Sequence, residues 1–175
     1  MTTTEATLAS LAAVVVFWIV GAHNRLVRLR TDLVARFVAV DERHRQRHAL
    51  LDSQLEMLST ALVAAAPRLE ALRAACRQAD AAREHARVRP GAASAITSLR
   101  VADDILADAR ARLPVQAVAG VDLPELNQRL ATSDTALAFA RSEFNSAVSA
   151  YNEALRQFPT VLVARLFGFR AAAVF

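Results

Sequence analysis

The chain has 175 residues, enough for one domain with a sizeable core, and is rich in Ala, Leu, Val and Arg with four Gly and five Pro. In that balance helix formers outweigh breakers almost everywhere. Its formal charge is +4 and is carried by Arg alone: residues 23–48 hold seven Arg against three acids, and the remainder to Phe175 is nearly neutral, which excludes nucleic acid as a partner because no basic helix interleaved with aromatics is there to neutralise phosphates.

From Ala6 to Ala22 the chain carries no charge and no proline, and 19 residues separate Glu5 from Arg25. As a helix this stretch is about 28 Å long, close to a hydrocarbon core with Arg25 snorkelling at one end. Trp18 and the Arg cluster stand at its C-terminal end, where interfacial anchors belong. A cleaved signal peptide would need a basic segment before the apolar run, and here the basic residues follow it. A buried core helix would need a large protein around it. Residues 1–22 are therefore expected to be a transmembrane anchor, with the N-terminus outside and the body cytoplasmic by the positive-inside rule.

Beyond the anchor, Leu26, Leu29, Leu33, Phe37, Val40, His44, His48, Leu51, Leu55, Leu58 and Leu62 step by three and four, the stripe of one long helix. Nothing breaks it before Pro67, which suits the first turn of a second helix carrying Leu69, Leu72, Cys76, Ala79 and Ala86 to Arg89-Pro90-Gly91. A third helix follows, with Ile96, Leu99, Ala102, Leu106, Ala109 and Leu113, and a loop from Pro114 to Pro124. The fourth carries Leu126, Leu130, Ser133, Leu137, Ala140, Phe144, Val148, Tyr151, Leu155 and Phe158 before Pro159. No β-sheet is predicted. Short loops make successive helices antiparallel, so the expected fold is all-α: an N-terminal transmembrane helix continuing into an elongated, coiled-coil-like antiparallel four-helix bundle over 23–158. The apolar element 159–175 returns near the bilayer, where it either lies on the membrane surface or caps the bundle end.

Cys76 is the only cysteine; at an apolar helical position it reads as a small buried hydrophobe in a reducing compartment. His44 and His48 are spaced i, i+4 and share a helix face. If the first interhelical turn centres near Ala66, His85 arrives at the same height, so His44, His48 and His85, with Glu84, are the metal-ligand candidates. The competing reading is a polar, pH-responsive histidine seam. Asp103, Asp104 and Asp108 read as a solvated acidic face. No HExxH, phosphate loop or nucleophile elbow occurs, so no catalytic residue and no cofactor are assigned.

The run Phe139-Ala140-Arg141-Ser142-Glu143-Phe144-Asn145, then Val148, Tyr151-Asn152, Phe158-Pro159, Ala164 and Phe167-Gly168-Phe169 up to Phe175, resembles the C-terminal signature of LemA-family proteins. His23-Asn24-Arg25-Leu26-Val27-Arg28-Leu29-Arg30 resembles the opening of that family's first bundle helix, and Asp41 and Arg47 fit the stretch downstream of it. His23 and Phe144 stand where the family usually has Tyr. Leu50-Leu51-Asp52-Ser53 replaces a proline-containing step, which should leave the first helix straighter. The resemblance implies a membrane-anchored, elongated helical bundle with no established enzymatic activity, expected as a single-pass protein of the bacterial inner membrane. Its signature residues are Asn24, Arg141, Asn145, Tyr151, Asn152, Pro159, Gly168 and Phe169. Asn145 and Asn152, one heptad apart, should bond across to helix one or to the terminal element and fix register.

These readings together point to a membrane-anchored, non-enzymatic scaffold. Its partners would be membrane lipids and either an unidentified protein or a second copy. The alternative is a sensor or regulatory subunit of a neighbouring membrane enzyme, with the histidines as its switch. An unrecognised metalloenzyme is the remaining possibility.

Overall fold

A computed structural model describes residues 3–61, 66–113 and 123–175, and every regular element among them is helical: α1 Thr3–Ala61, α2 Ala66–Val88, α3 Ala93–Ala111, α4 Leu123–Arg156 and α5 Thr160–Leu166. Leu62 and most of the predicted 114–124 loop lie outside the described residues; Pro124 itself sits in the first turn of α4, where its missing N–H costs nothing.

The first helix is one rod of 59 residues, about 88 Å at the helical rise. No proline interrupts it, and it passes unbroken through Leu50–Ser53. Its N-terminal part stands clear of the body: Leu8, Leu11, Val14, Val16 and Phe17 are all exposed. Burial begins at Trp18 and Ile19, which pack against the body, and from Ala22 onward the stripe Leu26, Leu33, Phe37, Val40, Leu51, Leu55 and Leu58 is buried. This is one helix long and apolar enough to cross a membrane.

The turn between α2 and α3 falls where the sequence places it. Arg89 precedes Pro90, which disfavours continued helix, and Gly91 turns the chain at φ 83°. At the other end, Pro159 has no N–H for the carbonyl four residues back and its ring would clash there, so α4 stops at Arg156. One consequence corrects the stripe of α4: Phe158 lies past the helix end and is exposed.

Contacts between helices come in ordered pairs. Along α1, Arg25 meets Gln157 just past the end of α4, and Arg36 meets Glu143, His44 meets Arg141 and Arg47 meets Asp134 on α4, so partner numbers fall as those on α1 rise. The core is split in two. One apolar cluster, around Leu26, Phe37, Ile96, Phe144, Val148 and Tyr151, lies nearer the apolar stalk. The other, around Leu51, Leu58, Leu72, Cys76, Leu106 and Leu130, lies at the distal end. Cys76 is buried there, and burial, with Asp52 and Asp80 nearby, pushes its thiol up to about 11, the behaviour of an inert packed thiol.

Candidate functional site

Between the two apolar clusters each long helix contributes charge at a position its own periodicity turns inward. On α3 the order Leu99, Asp103, Leu106 keeps the i, i+4, i+7 spacing. On α4 Arg141 falls between Leu137 and Phe144, and on α1 Arg47 falls between Val40 and Leu51. These three interruptions meet. Asp103 is the hub: Arg47 donates to its Oδ1 and Arg141 to its Oδ2, while His44 Nε2 lies 3.6 Å from the same Oδ2. Arg47, Asp103 and His44 are all buried. Around them Arg110 bonds Asp134 at 3.0 Å, Arg83 bonds Asp41 at 2.7 Å, and His48 Nδ1 donates to Asp80 at 2.9 Å.

The electrostatics follow from that packing. Burial, reinforced by Arg47 and Arg141, lowers His44 from its ordinary 6.5 to about 2, so its Nε2 is an unprotonated acceptor for the Arg141 guanidinium 3.3 Å away. Burial also pulls Arg141 down, although Asp103 opposes it. Asp80 is pushed up by burial, but hydrogen bonds from His48 and Arg83 outweigh this and hold it below the usual carboxylate range. Two guanidinium groups share one buried carboxylate, so both oxygens of Asp103 are engaged inside the protein. Such a layer orders helices and offers no nucleophile.

Two expectations are corrected here. Asp103 does not belong to a solvated acidic face with Asp104 and Asp108, and Arg47 is buried, unlike the solvated arginines before it. The signal was in the stripe spacing, which both residues satisfy. The metal candidates do not converge. His48–Asp80 and Asp41–Arg83 set the register of α1 on α2, about a turn away from the one that would level His85 with His48, and His85 is exposed. Among the described residues no group of three His, Cys, Asp or Glu is arranged to hold a metal ion.

The second constellation is the chain end. At the C-terminus of α5, Gly168 adopts φ 69° while Phe169 N–H donates to Ala164 O and Gly168 N–H to Arg165 O. This left-handed cap reverses the chain. Residues 169–175 then run back along the body as an extended strap. Tyr151 Oη donates to Arg170 O at 3.0 Å. Asn152 bonds both the carbonyl and the amide of Ala172, Ala173 N–H donates to Gly91 O at 2.9 Å, and Phe175 N–H donates to Asn145 Oδ1 at 2.9 Å. The Phe175 ring packs edge-on to Phe144 and beneath the Arg141 guanidinium. Of the two partners open to Asn145 and Asn152, the terminal element is the one they bond.

The other signature residues fall into place around the strap. Arg141 joins it to the buried layer. Phe169 packs on the His23 ring at 5.6 Å, Pro159 ends α4, and Asn24 faces outward. The contact between the strap's Ala172–Ala173 and Gly91 carries no motif of its own and was missed; only the left-handed glycine in an Arg-Pro-Gly turn hinted at it.

No curated protein and no solved structure matches the chain. A model of the LemA family matches residues 28–175, which takes in all but the first residues of the body, the buried layer and the whole strap. The chain belongs to the LemA family.

Proposed function

We propose that this protein is a single-pass membrane-anchored scaffold whose body, an elongated antiparallel four-helix bundle, docks a protein partner or a second copy rather than catalysing a reaction. The observation that carries this reading is the continuity of α1: the exposed apolar stalk and the buried stripe of the body belong to one helix, Thr3–Ala61. Each exposed Leu, Val or Phe on the stalk forgoes about 1.5–3 kcal/mol while it stands in water, and a bilayer removes that cost. The falling order of partners along α1 supports the antiparallel arrangement. The arginines from Arg25 onward favour a cytoplasmic body and an outside N-terminus at a bacterial inner membrane. The buried charges Arg47, Asp103 and Arg141 are paired with one another inside the body, which favours a structural role.

A regulatory subunit driven by histidine protonation has less support. His44, held down to about 2, stays neutral at physiological pH and cannot serve as that switch.

Protease protection in spheroplasts and inverted vesicles, followed by pull-down from detergent-solubilised membranes, tests the proposal. The body should be digested only from the cytoplasmic side, and a partner or second copy should co-purify in fixed ratio. Recovery of the intact chain free of membranes, or digestion of the body from outside, would overturn it.

A further inference from the structure

The seven-residue helix α5 is apolar on two sides. Thr160, Val163 and Ala164 face the body and are buried, while Leu162 and Leu166, one turn apart, face outward and are 55% and 73% exposed. Phe158 before the helix and Phe167 after it are exposed on the same element, at 81% and 51%. A helix this short holds no structure alone and is kept by packing on α1 and α4, so nothing in its folding requires an apolar outer face. Elsewhere on the body, exposed apolar residues stand singly, as Val88 and Phe139 do, or in less exposed pairs such as Val34–Val38 and Val101–Ile105, as is ordinary for a surface.

The level of α5 points to what covers that face. Phe167 packs on the ring of His23 at 4.6 Å, and His23 is the first residue after the uncharged stretch. Val163 and Ala164 belong to the cluster on which Trp18 and Ile19, inside that stretch, are packed. The element therefore lies beside the end of the stalk, at the depth where a bilayer's hydrocarbon meets its headgroups. Arg25, Arg28, Arg156 and Arg165 are exposed on the adjoining segments, the complement of anionic headgroups.

We propose that α5 and Phe167 form a second lipid contact, an in-plane interfacial foot that takes the boundary region of an anionic bilayer and holds the body upright on its stalk. This rests on the reading of residues 6–22 as the membrane span. A second copy covering the same face is the competing occupant; continuity with the stalk and the flanking arginines favour lipid.

The test uses the full chain with Cys76→Ala as background, reconstituted in vesicles of equal parts phosphatidylcholine and phosphatidylglycerol. Single cysteines at Leu11→Cys, Leu166→Cys and Val101→Cys, all exposed positions, carry a bimane fluorophore. Lipids bear a spin label near the headgroup or near the bilayer centre. The label at 166 should be quenched severalfold more by the shallow spin label than by the deep one, that at 11 chiefly by the deep one, and that at 101 by neither. Quenching at 11 without quenching at 166 overturns the foot and leaves the anchor standing, and so does a label at 166 shielded from aqueous iodide yet untouched by lipid, the signature of a second copy. Absence of quenching at 11 takes down the anchor and the foot together.

Discussion

Asn152 holds Ala172 with both ends of its amide: Nδ2 donates to the Ala172 carbonyl at 2.8 Å, and Oδ1 accepts from the Ala172 amide at 2.9 Å. The side chain thereby pairs with the strap as a neighbouring β-strand would, and it satisfies backbone groups that lie part-buried. Asn152→Ala should destabilise the full chain in detergent by about 1–3 kcal/mol, since two hydrogen bonds are lost and their partners left without a mate. Asn152→Asp keeps the acceptor, loses the donor and sets a carboxylate against a carbonyl, so it should not rescue. Thermal melts followed by circular dichroism read the loss, and carboxypeptidase release of the last residues reads the loosened strap. Unchanged release in Asn152→Ala would mean that the amide pairing does not hold the strap.

The two left-handed glycines separate crowding from conformation. A Cβ on Gly91 would sit 2.9 Å from the Cβ of Ala172, a contact that neither rigid group can relieve, whereas a Cβ on Gly168 meets nothing within 4 Å. Gly168→Ala should cost only the left-handed penalty of about 1–2 kcal/mol. Gly91→Ala adds the clash and the displaced Ala173–Gly91 hydrogen bond, so its melting temperature should fall further. Gly91→Ala together with Ala172→Gly should recover part of the difference; no recovery would show that the strap does not press on this turn.

Removing Asp103 leaves the Arg47 and Arg141 guanidinium groups buried with too little negative charge. Loss of one partner from a buried ion cluster costs about 3–5 kcal/mol, so Asp103→Ala should be among the most damaging single changes in the body. Asp103→Asn keeps the shape but not the charge and should fall in the same range. Asp104→Ala, one residue on and exposed, should be near neutral. Equal effects at 103 and 104 would place both on a solvated face.

His44 is neutral when folded, with its ordinary 6.5 lowered to about 2 by burial and then by Arg47, Arg141, His48 and Arg83. The unfolded chain takes up a proton at this residue below about pH 6.5, while the folded chain does not. Its contribution to stability is therefore complete above pH 6.5 and drains away as pH falls toward 2, by up to about 1.4 kcal/mol per pH unit. The carboxylates add their own loss only at lower pH, where they begin to protonate, which leaves roughly pH 6.5 to 4.5 as the window for His44. His44→Gln keeps an acceptor for Arg141 without the titration, and its stability should fall less steeply across that window. Parallel slopes for the two proteins would show that His44 protonates in place.

Helical periodicity and an uncharged stretch are properties of neighbours in sequence, and that is why α1 to α4 and the apolar stalk are legible from the residues alone. The turn at Arg89-Pro90-Gly91 and the stop before Pro159 are legible for the same reason: proline acts on its own backbone and on the residue before it. The family was likewise readable in the closing run from Phe139 to Phe175. Partnership across helices is a different matter. The stripes mark Arg47, Asp103 and Arg141 as inward-facing, yet only the packed body brings the three together, because the register between helices depends on ion pairs such as His48–Asp80 that link distant parts of the chain. Likewise the heptad spacing of Asn145 and Asn152 puts them on one face, but what they bond depends on Gly168 reversing the chain and on Gly91 leaving room for it. Charge pairing and strap docking are decided by groups brought together from far apart in sequence, so they belong to the tertiary structure.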